Sequence, residues 1–213
     1  MTQLKWKVCG LRDNIEEVVG LQPDYIGFIF YSKSPRYVGD AFVIPEVDLN
    51  TIKKVGVFVN ESVDVVQELV MKYKLDFAQI HGHESMEYCA ELQQKGINVI
   101  KAFQVDENFD FELLKNYEMA VAYFLFDTKT NQFGGSGKTF DWSVLKKYSL
   151  GKEYFLSGGI SLGNLEDLKQ LDLSKVHALD VNSKFEKEPG MKDIEKLEEL
   201  KDFINATGVD TFI

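Results

Sequence analysis

Apolar positions recur along the chain in short runs rich in valine, isoleucine, phenylalanine and tyrosine, the pattern of buried β-strands. The runs are roughly 20 to 30 residues apart, a spacing that suits strands alternating with helices. They read LKWKVC, DYIGFIF, KVGVFV, DFAQIH, NVIKAF, VAYFLFD, EYFLSG and VHALDV. Eight strands are therefore predicted.

Helical periodicity, with apolar residues three or four apart, appears between several of these runs. The segments are VDVVQELVMKY, SMEYCAELQQK and DIEKLEELKDFI. Eight strands alternating with helices or loops in 213 residues predict an α/β fold, a (β/α)₈ barrel that occupies residues 1–213 as a single domain. An open doubly wound sheet is the alternative, because periodicity alone does not distinguish the two.

In a barrel strand, side chains alternate between the interior and the helix-facing layer. This alternation sends a set of polar side chains inward, most of them at the carboxyl ends of the strands, where barrel active sites form. The set comprises Lys7, Cys9, Gln79, His81, Asp127, Asp180 and Asn182.

Cys9 ends the first strand and has two interpretations. A strand cysteine can be a small buried hydrophobic residue, or it can act as a base if its pKa is depressed. Lys7, on the same face, is a source of positive potential that would lower the pKa of Cys9. Lys7 could equally be a structural partner of Asp180.

Asp127 ends the apolar run AYFLFD, so we expect its carboxyl to be only partly hydrated, which favours a proton donor. An acid at a strand end could also cap a loop. If the fold is a barrel, Cys9 and Asp127 stand across its mouth from each other and can address two atoms of one sugar.

Three segments, two of them containing glycine, are candidates for binding a phosphate through backbone N–H groups. The segment NQFGGSGKTFDW ends like a nucleotide-binding P-loop, but Gln132 stands where that motif needs glycine. Ordinary turns are the alternative for each segment. The candidate residues are Gly135, Ser136 and Gly137, then Ser157, Gly158 and Gly159 after strand seven, and Asn182 and Ser183 after strand eight.

Arg36 follows the second strand, where a guanidinium could pair with a carboxylate. His81 and His83 resemble metal ligands, but no third ligand lies nearby in sequence. We therefore expect His81 to be a hydrogen-bonded side chain at the substrate end of its strand, and we expect no metal site.

The net charge and the cysteine content exclude some classes of binding partner and indicate the cellular compartment. A net charge of −10 argues against nucleic acid and against an anionic membrane surface. The two cysteines show neither disulfide nor zinc spacing, and no segment resembles a signal peptide or a membrane span. A cytoplasmic protein with reduced thiols is expected.

Taken in order, eight motifs resemble the phosphoribosylanthranilate isomerase family, and they cover essentially the whole chain. They read KVCG, GFIFYSKSPR, VGVFVN, QIHGHE, FLFDT, GGSGKTFDW, LSGGI and LDVNS, the last followed by PGMKD. The resemblance favours the barrel over the open sheet. The chain departs from the family at Lys184 and Phe185, where a small residue usually follows the eighth strand.

The resemblance implies an Amadori rearrangement in tryptophan biosynthesis, without a cofactor, on a small phosphorylated substrate. Cys9 would be the general base and Asp127 the general acid, while Arg36 would hold the anthranilate carboxylate. Asp180 would orient sugar hydroxyls, and the three candidate segments would hold the phosphate. A monomer or weak homodimer is expected.

Two other functions remain possible at this point. One is the histidine-pathway isomerase, which resembles this family in chemistry but carries an aspartate at the end of strand one, where this chain has Cys9. The other is a non-catalytic phosphate-binding barrel, which would need neither Cys9 nor Asp127.

Overall fold

The computed structural model describes residues 4–49, 51–128 and 142–207. Eight parallel strands form a closed barrel in sequence order, with the first strand paired to the eighth. This confirms the predicted barrel over the open sheet. The strands are Lys5–Cys9 (β1), Tyr25–Ile29 (β2), Lys53–Phe58 (β3), Phe77–Ile80 (β4), Val99–Val105 (β5), Tyr123–Thr128 (β6), Tyr154–Leu156 (β7) and Val176–Val181 (β8).

The core has two layers, as the alternation of side chains requires. The residues between the strands and the surrounding helices include Trp6, Val8, Phe124 and Phe126. The barrel interior holds a separate cluster, whose buried members are Tyr25, Val55, Ile100, Ala102, Leu125, Phe155 and Ala178. Apolar side chains thus fill the lower and middle barrel, and the polar side chains are left to the carboxyl ends of the strands.

The connections between strands are less helical than the repeating pattern suggests. The three predicted helices are present as Val63–Tyr73 (α2), Met86–Gln94 (α3) and Ile194–Thr207 (α5). Ile15–Gly20 (α1) and Leu165–Leu168 (α4) are short, and 3₁₀ turns at Phe111–Asn116 and Trp142–Lys147 follow β5 and β6. The described part of the connection between β2 and β3 contains no helix.

The connection after β8 forms a small hairpin before the last helix begins. Glu186–Glu188 (β9) pairs antiparallel with Met191–Lys192 (β10). A 3₁₀ turn, Ser183–Phe185, leads into the hairpin and buries the Phe185 ring. The departure from the family pattern at this point is therefore accommodated by a packed aromatic ring.

His177 lies at the lower end of the barrel, where strict alternation would place it outside. The pairing of β7 with β8 shifts register between Tyr154 and Phe155, and irregularities of this kind re-aim a side chain. The His177 ring lies 4.1 Å from the Tyr123 ring, and its Nε2 is 2.7 Å from the Tyr25 hydroxyl. The ring thereby closes the base of the interior cluster.

Within the described residues, no helix is both long enough and apolar enough to span a membrane.

Candidate active site

A buried lysine links strands at the upper end of the barrel. The Lys7 ammonium is fully buried and donates hydrogen bonds to Asp180 Oδ2 at 2.8 Å and to Gln79 Oε1 at 2.7 Å. Burial lowers the pKa of Lys7, but the adjacent Asp180 carboxylate outweighs it, so this pKa lies above its ordinary 10.5. Lys7 is therefore a charged partner of Asp180, as one of the two sequence interpretations proposed.

A line of close polar contacts continues from Gln79 toward Asp127. Gln79 Nε2 lies 2.9 Å from His81 Nδ1, and His81 Nε2 lies 3.4 Å from Asp127 Oδ2. Gln79 is buried, whereas the side chains of His81 and Asp127 are 25% and 29% exposed. This line thus runs from the barrel interior to a carboxyl that substrate can reach.

Cys9 is buried at the end of β1, in a small apolar cluster with Ile29 and Val57. In the register of the barrel it stands beside Gly27 of β2. A Cβ atom at position 27 would lie 2.8 Å from the Cys9 sulfur, well inside van der Waals contact. The absence of a side chain at Gly27 therefore makes the room that the thiol occupies.

Lys7 lowers the pKa of Cys9, as expected, but the net shift of this pKa is upward. Burial raises the pKa of the thiol above its ordinary 9.0, and this effect exceeds the opposing one from Lys7. Asp180 adds to the rise, while Lys192 lowers the pKa. Because a buried thiolate loses its hydration, one nearby ammonium does not compensate for burial.

Arg36 is already paired with a carboxylate of the chain itself. Its Nε and Nη2 donate to Glu186, with distances of 2.7–3.0 Å. Glu186 also accepts from the buried Lys192 ammonium at 2.7 Å, and Lys192 donates to Asn182 Oδ1 at 2.9 Å. Burial raises the pKa of Glu186, but Arg36 and Lys192 outweigh it and hold this pKa below 4.5. Glu186 is thus an ionised anchor for the Arg36 guanidinium.

Gly10 brings this cluster next to Cys9. Its φ of +73° suits glycine, and a Cβ atom there would lie 2.7 Å from both Arg36 Cδ and Asn182 Oδ1. The Arg36 and Asn182 side chains therefore pack directly on the turn that follows Cys9. Three residues selected separately from the sequence, Cys9, Arg36 and Asn182, meet at one end of the barrel.

The turns after β7 and β8 are neighbours, because these two strands pair in parallel. Gly158 and Gly159 both adopt positive φ, at +84° and +71°. Their backbone N–H groups have no hydrogen-bond acceptor in the part of the chain described, whereas the Ser157 N–H is bonded to Phe126 O. Ser183 is exposed in the adjacent turn. The predicted segment with Gly135, Ser136 and Gly137 lies outside the described residues.

Sequence reasoning assigned no role to Gln79, Glu186 or Lys192. Alternation alone places Gln79 beside His81, so its position was predicted while its partners were not. The segment that contains Lys192 is part of a recognised motif, but its ammonium reaches Glu186 through the hairpin formed by β9 and β10. The hairpin itself was not predicted, so no local sequence pattern indicated the contact between Lys192 and Glu186.

A closed parallel barrel with a thiol, carboxyls, an anchored arginine and glycine turns at the carboxyl ends of its strands defines a barrel enzyme that acts on a small molecule. Residues 6–203 match the family model described as N-(5'phosphoribosyl)anthranilate (PRA) isomerase. The chain belongs to this family.

Individual relatives agree with the family model. The N-(5'-phosphoribosyl)anthranilate isomerase of Parabacteroides distasonis is 44% identical over 210 residues, which cover 96% of this chain and 95% of that protein. The phosphoribosyl anthranilate isomerase structure from Thermotoga maritima is 33% identical with a TM-score of 0.76, covering 97% and 100% of the two chains. A second isomerase structure, 30% identical with the same TM-score and coverage, was solved in complex with reduced 1-(o-carboxyphenylamino)-1-deoxyribulose 5-phosphate.

Proposed function

We propose that this chain catalyses the isomerisation of N-(5-phosphoribosyl)anthranilate to 1-(2-carboxyphenylamino)-1-deoxyribulose 5-phosphate in tryptophan biosynthesis. The observation that carries the proposal is the pairing of a buried thiol, Cys9, with a partly exposed carboxyl, Asp127, at the same end of one barrel. Family membership and the bound phosphorylated compound in a related structure support the same substrate class.

Asp127 performs the first step in this proposal. Its carboxyl proton passes to the ring oxygen of the ribose, the bond between C1 and that oxygen breaks, and the nitrogen lone pair forms a protonated Schiff base. The partial exposure of Asp127 supports the role, since the carboxyl must reach a bound sugar. General acid catalysis requires this proton to lie within hydrogen-bonding distance of the ring oxygen.

Cys9 performs the second step as a thiolate. It takes the proton from C2, the C–H electron pair forms the C1–C2 double bond, and the iminium electrons return to nitrogen. The resulting enolamine tautomerises to the ketone. A thiol whose pKa is raised by burial ionises less often, but each thiolate is a stronger base, and the positive Schiff base beside it favours the ionised form.

The remaining residues hold the substrate. Asp180 Oδ1 is buried without a hydrogen-bond partner in the described part of the chain, which suits an acceptor for a sugar hydroxyl. His81 contacts the sugar beside Asp127. The phosphate is held by N–H groups of the turns after β7 and β8 and of the glycine-rich segment after β6. The candidate residues are Gly158, Gly159, Asn182 and Ser183 in the two turns, Ser157 through its hydroxyl, and Gly135, Ser136 and Gly137 in the segment after β6.

Arg36 binds the anthranilate carboxylate with the donors that Glu186 leaves available. We expect Arg36→Ala to raise KM about 10- to 100-fold with a smaller change in kcat, because a charged hydrogen bond contributes roughly 1.5–3 kcal/mol and about 1.4 kcal/mol corresponds to a tenfold change in affinity. Steady-state kinetics measure both constants. A substrate analogue built on aniline, which lacks the carboxylate, is the matched control, and its KM should be unaffected by the substitution. An unchanged KM for the natural substrate would remove this role from Arg36.

The decisive experiment follows the fluorescence of freshly prepared phosphoribosylanthranilate as purified protein is added. We expect catalytic consumption without added metal or nucleotide. The protein should show the same turnover after exhaustive treatment with a metal chelator. If the fluorescence decays at the uncatalysed rate, the proposed reaction is wrong for this chain.

The two cysteines are free and buried, which suits the reducing cytoplasm where we place the reaction. A monomer or weak homodimer is proposed. The large hydrophobic side chains that the described residues expose are Val43, Val65, Met71, Leu113 and Met119.

A further inference from the structure

A buried amide lies between the Lys7 ammonium and the His81 ring, and the mechanism above makes no use of it. We propose that Gln79 is a positioning residue that fixes the tautomer of His81, so that the ring presents an N–H group to Asp127. The consequence for turnover rests on the proposed function of Asp127, whereas the tautomer itself does not.

The orientation of the Gln79 amide follows from the chemistry of its first partner. The Lys7 ammonium can only donate hydrogen bonds, so the Gln79 atom 2.7 Å from it must be the carbonyl oxygen. The amide nitrogen, which can only donate, therefore faces His81 Nδ1 at 2.9 Å. Lys7 is fully buried and Gln79 is 1% exposed, so water does not compete for either contact.

The amide in turn determines which ring nitrogen carries hydrogen. Because the Gln79 amide donates to Nδ1, that nitrogen must accept, and the hydrogen of the neutral ring is on Nε2. Nε2 is the nitrogen that lies 3.4 Å from Asp127 Oδ2. Lys7 thus determines the orientation of the Gln79 amide, and the amide determines the tautomer of His81. The Nε2–H group of the ring then faces Asp127, the proposed acid.

This arrangement prevents the His81 ring from accepting the proton of Asp127. With Nδ1 engaged by Gln79 and Nε2 already carrying hydrogen, the neutral His81 ring offers no lone pair to that proton. The reversed tautomer would turn an accepting nitrogen toward Asp127 and compete with the ring oxygen of the ribose.

The tautomer can be measured in the resting protein without substrate. The chain has three histidines, so ¹⁵N-histidine labelling gives three imidazole spin systems. The variants His83→Gln and His177→Gln assign their own signals, which leaves that of His81. We expect a protonated Nε2 and an unprotonated Nδ1 in the wild-type protein. A protonated Nδ1 with a bare Nε2 would overturn the proposal, and this wild-type spectrum needs no change at Gln79.

Gln79→Met removes the amide while keeping a side chain of similar length. We expect the His81 signals to shift toward a mixture of tautomers, and kcat to fall about tenfold with KM nearly unchanged, less than the ~10²- to 10⁴-fold contribution of a general acid. The control is Gln67→Met on α2, since Gln67 also accepts a hydrogen bond from a lysine, Lys95, but lies far from the histidine chain. That variant should match wild type in both readouts.

An unchanged His81 tautomer in folded Gln79→Met protein would refute the positioning role. Absence of isomerase activity in wild-type protein that shows the expected tautomer would refute the proposed function instead. The two failures are therefore distinguishable.

Discussion

Asp127→Asn is expected to lower kcat about 10²- to 10⁴-fold, the usual contribution of a positioned general acid. Asparagine keeps the shape of the side chain, but it has no acidic proton to give to the ribose ring oxygen. KM should change little, because the phosphate and carboxylate contacts remain. The fluorescence assay measures both constants.

The fold of the Asp127→Asn variant should persist, since the Asp127 side chain is 29% exposed and the substitution is nearly isosteric. Asp64→Asn, at an exposed position in the first turn of α2, removes the same charge elsewhere and serves as the control. If Asp127→Asn retains near-normal kcat while the control behaves as wild type, another group must protonate the sugar.

Cys9→Ala and Cys9→Ser should each lower kcat about 10²- to 10⁴-fold, because neither side chain supplies a base for the C2 proton. Serine nearly preserves the volume of the side chain, so a loss shared by both variants cannot be attributed to a cavity. Cys89→Ala is the matched control, since Cys89 is the second buried free cysteine and packs within α3. Near-normal turnover in Cys9→Ser would remove the thiol from the mechanism.

The protonation state of Cys9 can be titrated directly through the ultraviolet absorbance of its thiolate. Since burial disfavours the charged form, we expect the midpoint of Cys9 to lie above 9.0 in the free protein. Subtracting the titration of Cys9→Ser from that of wild type isolates this thiol. A midpoint well below 9.0 would mean that the Lys7 and Lys192 ammonium groups outweigh burial.

The strand pattern predicted the barrel because each strand is a short apolar run, and every described strand lies within a few residues of its predicted position. Helical connections were predicted less well. Where a segment carries strong periodicity, as in α2 and α3, a helix forms. Around Phe111 the structure has a 3₁₀ turn, and between β2 and β3 the described backbone is irregular.

The alternation of side chains along a strand correctly predicted that Lys7, Gln79 and Asp180 point into the barrel, because each side chain of a strand has only two possible directions. Alternation could not predict whether Lys7 or burial has the larger effect on the pKa of Cys9. Proximity of Lys7 suggested a depressed pKa, whereas the depth of burial decides the direction, and burial depends on strands far away in sequence. Glu186 was missed for a related reason, since a hairpin brings it to Arg36.

Position 27 tolerates few substitutions of its glycine. Its backbone does not adopt a positive φ, so conformation alone would tolerate alanine there. The obstacle is Cys9 on the adjacent strand, whose sulfur, Cα and Cβ atoms lie 2.8, 3.2 and 3.3 Å from where a methyl group would sit. A position with no proposed contact to the reactants is thus constrained by the cysteine beside it, and a side chain at position 27 would displace the thiol that is proposed as the base.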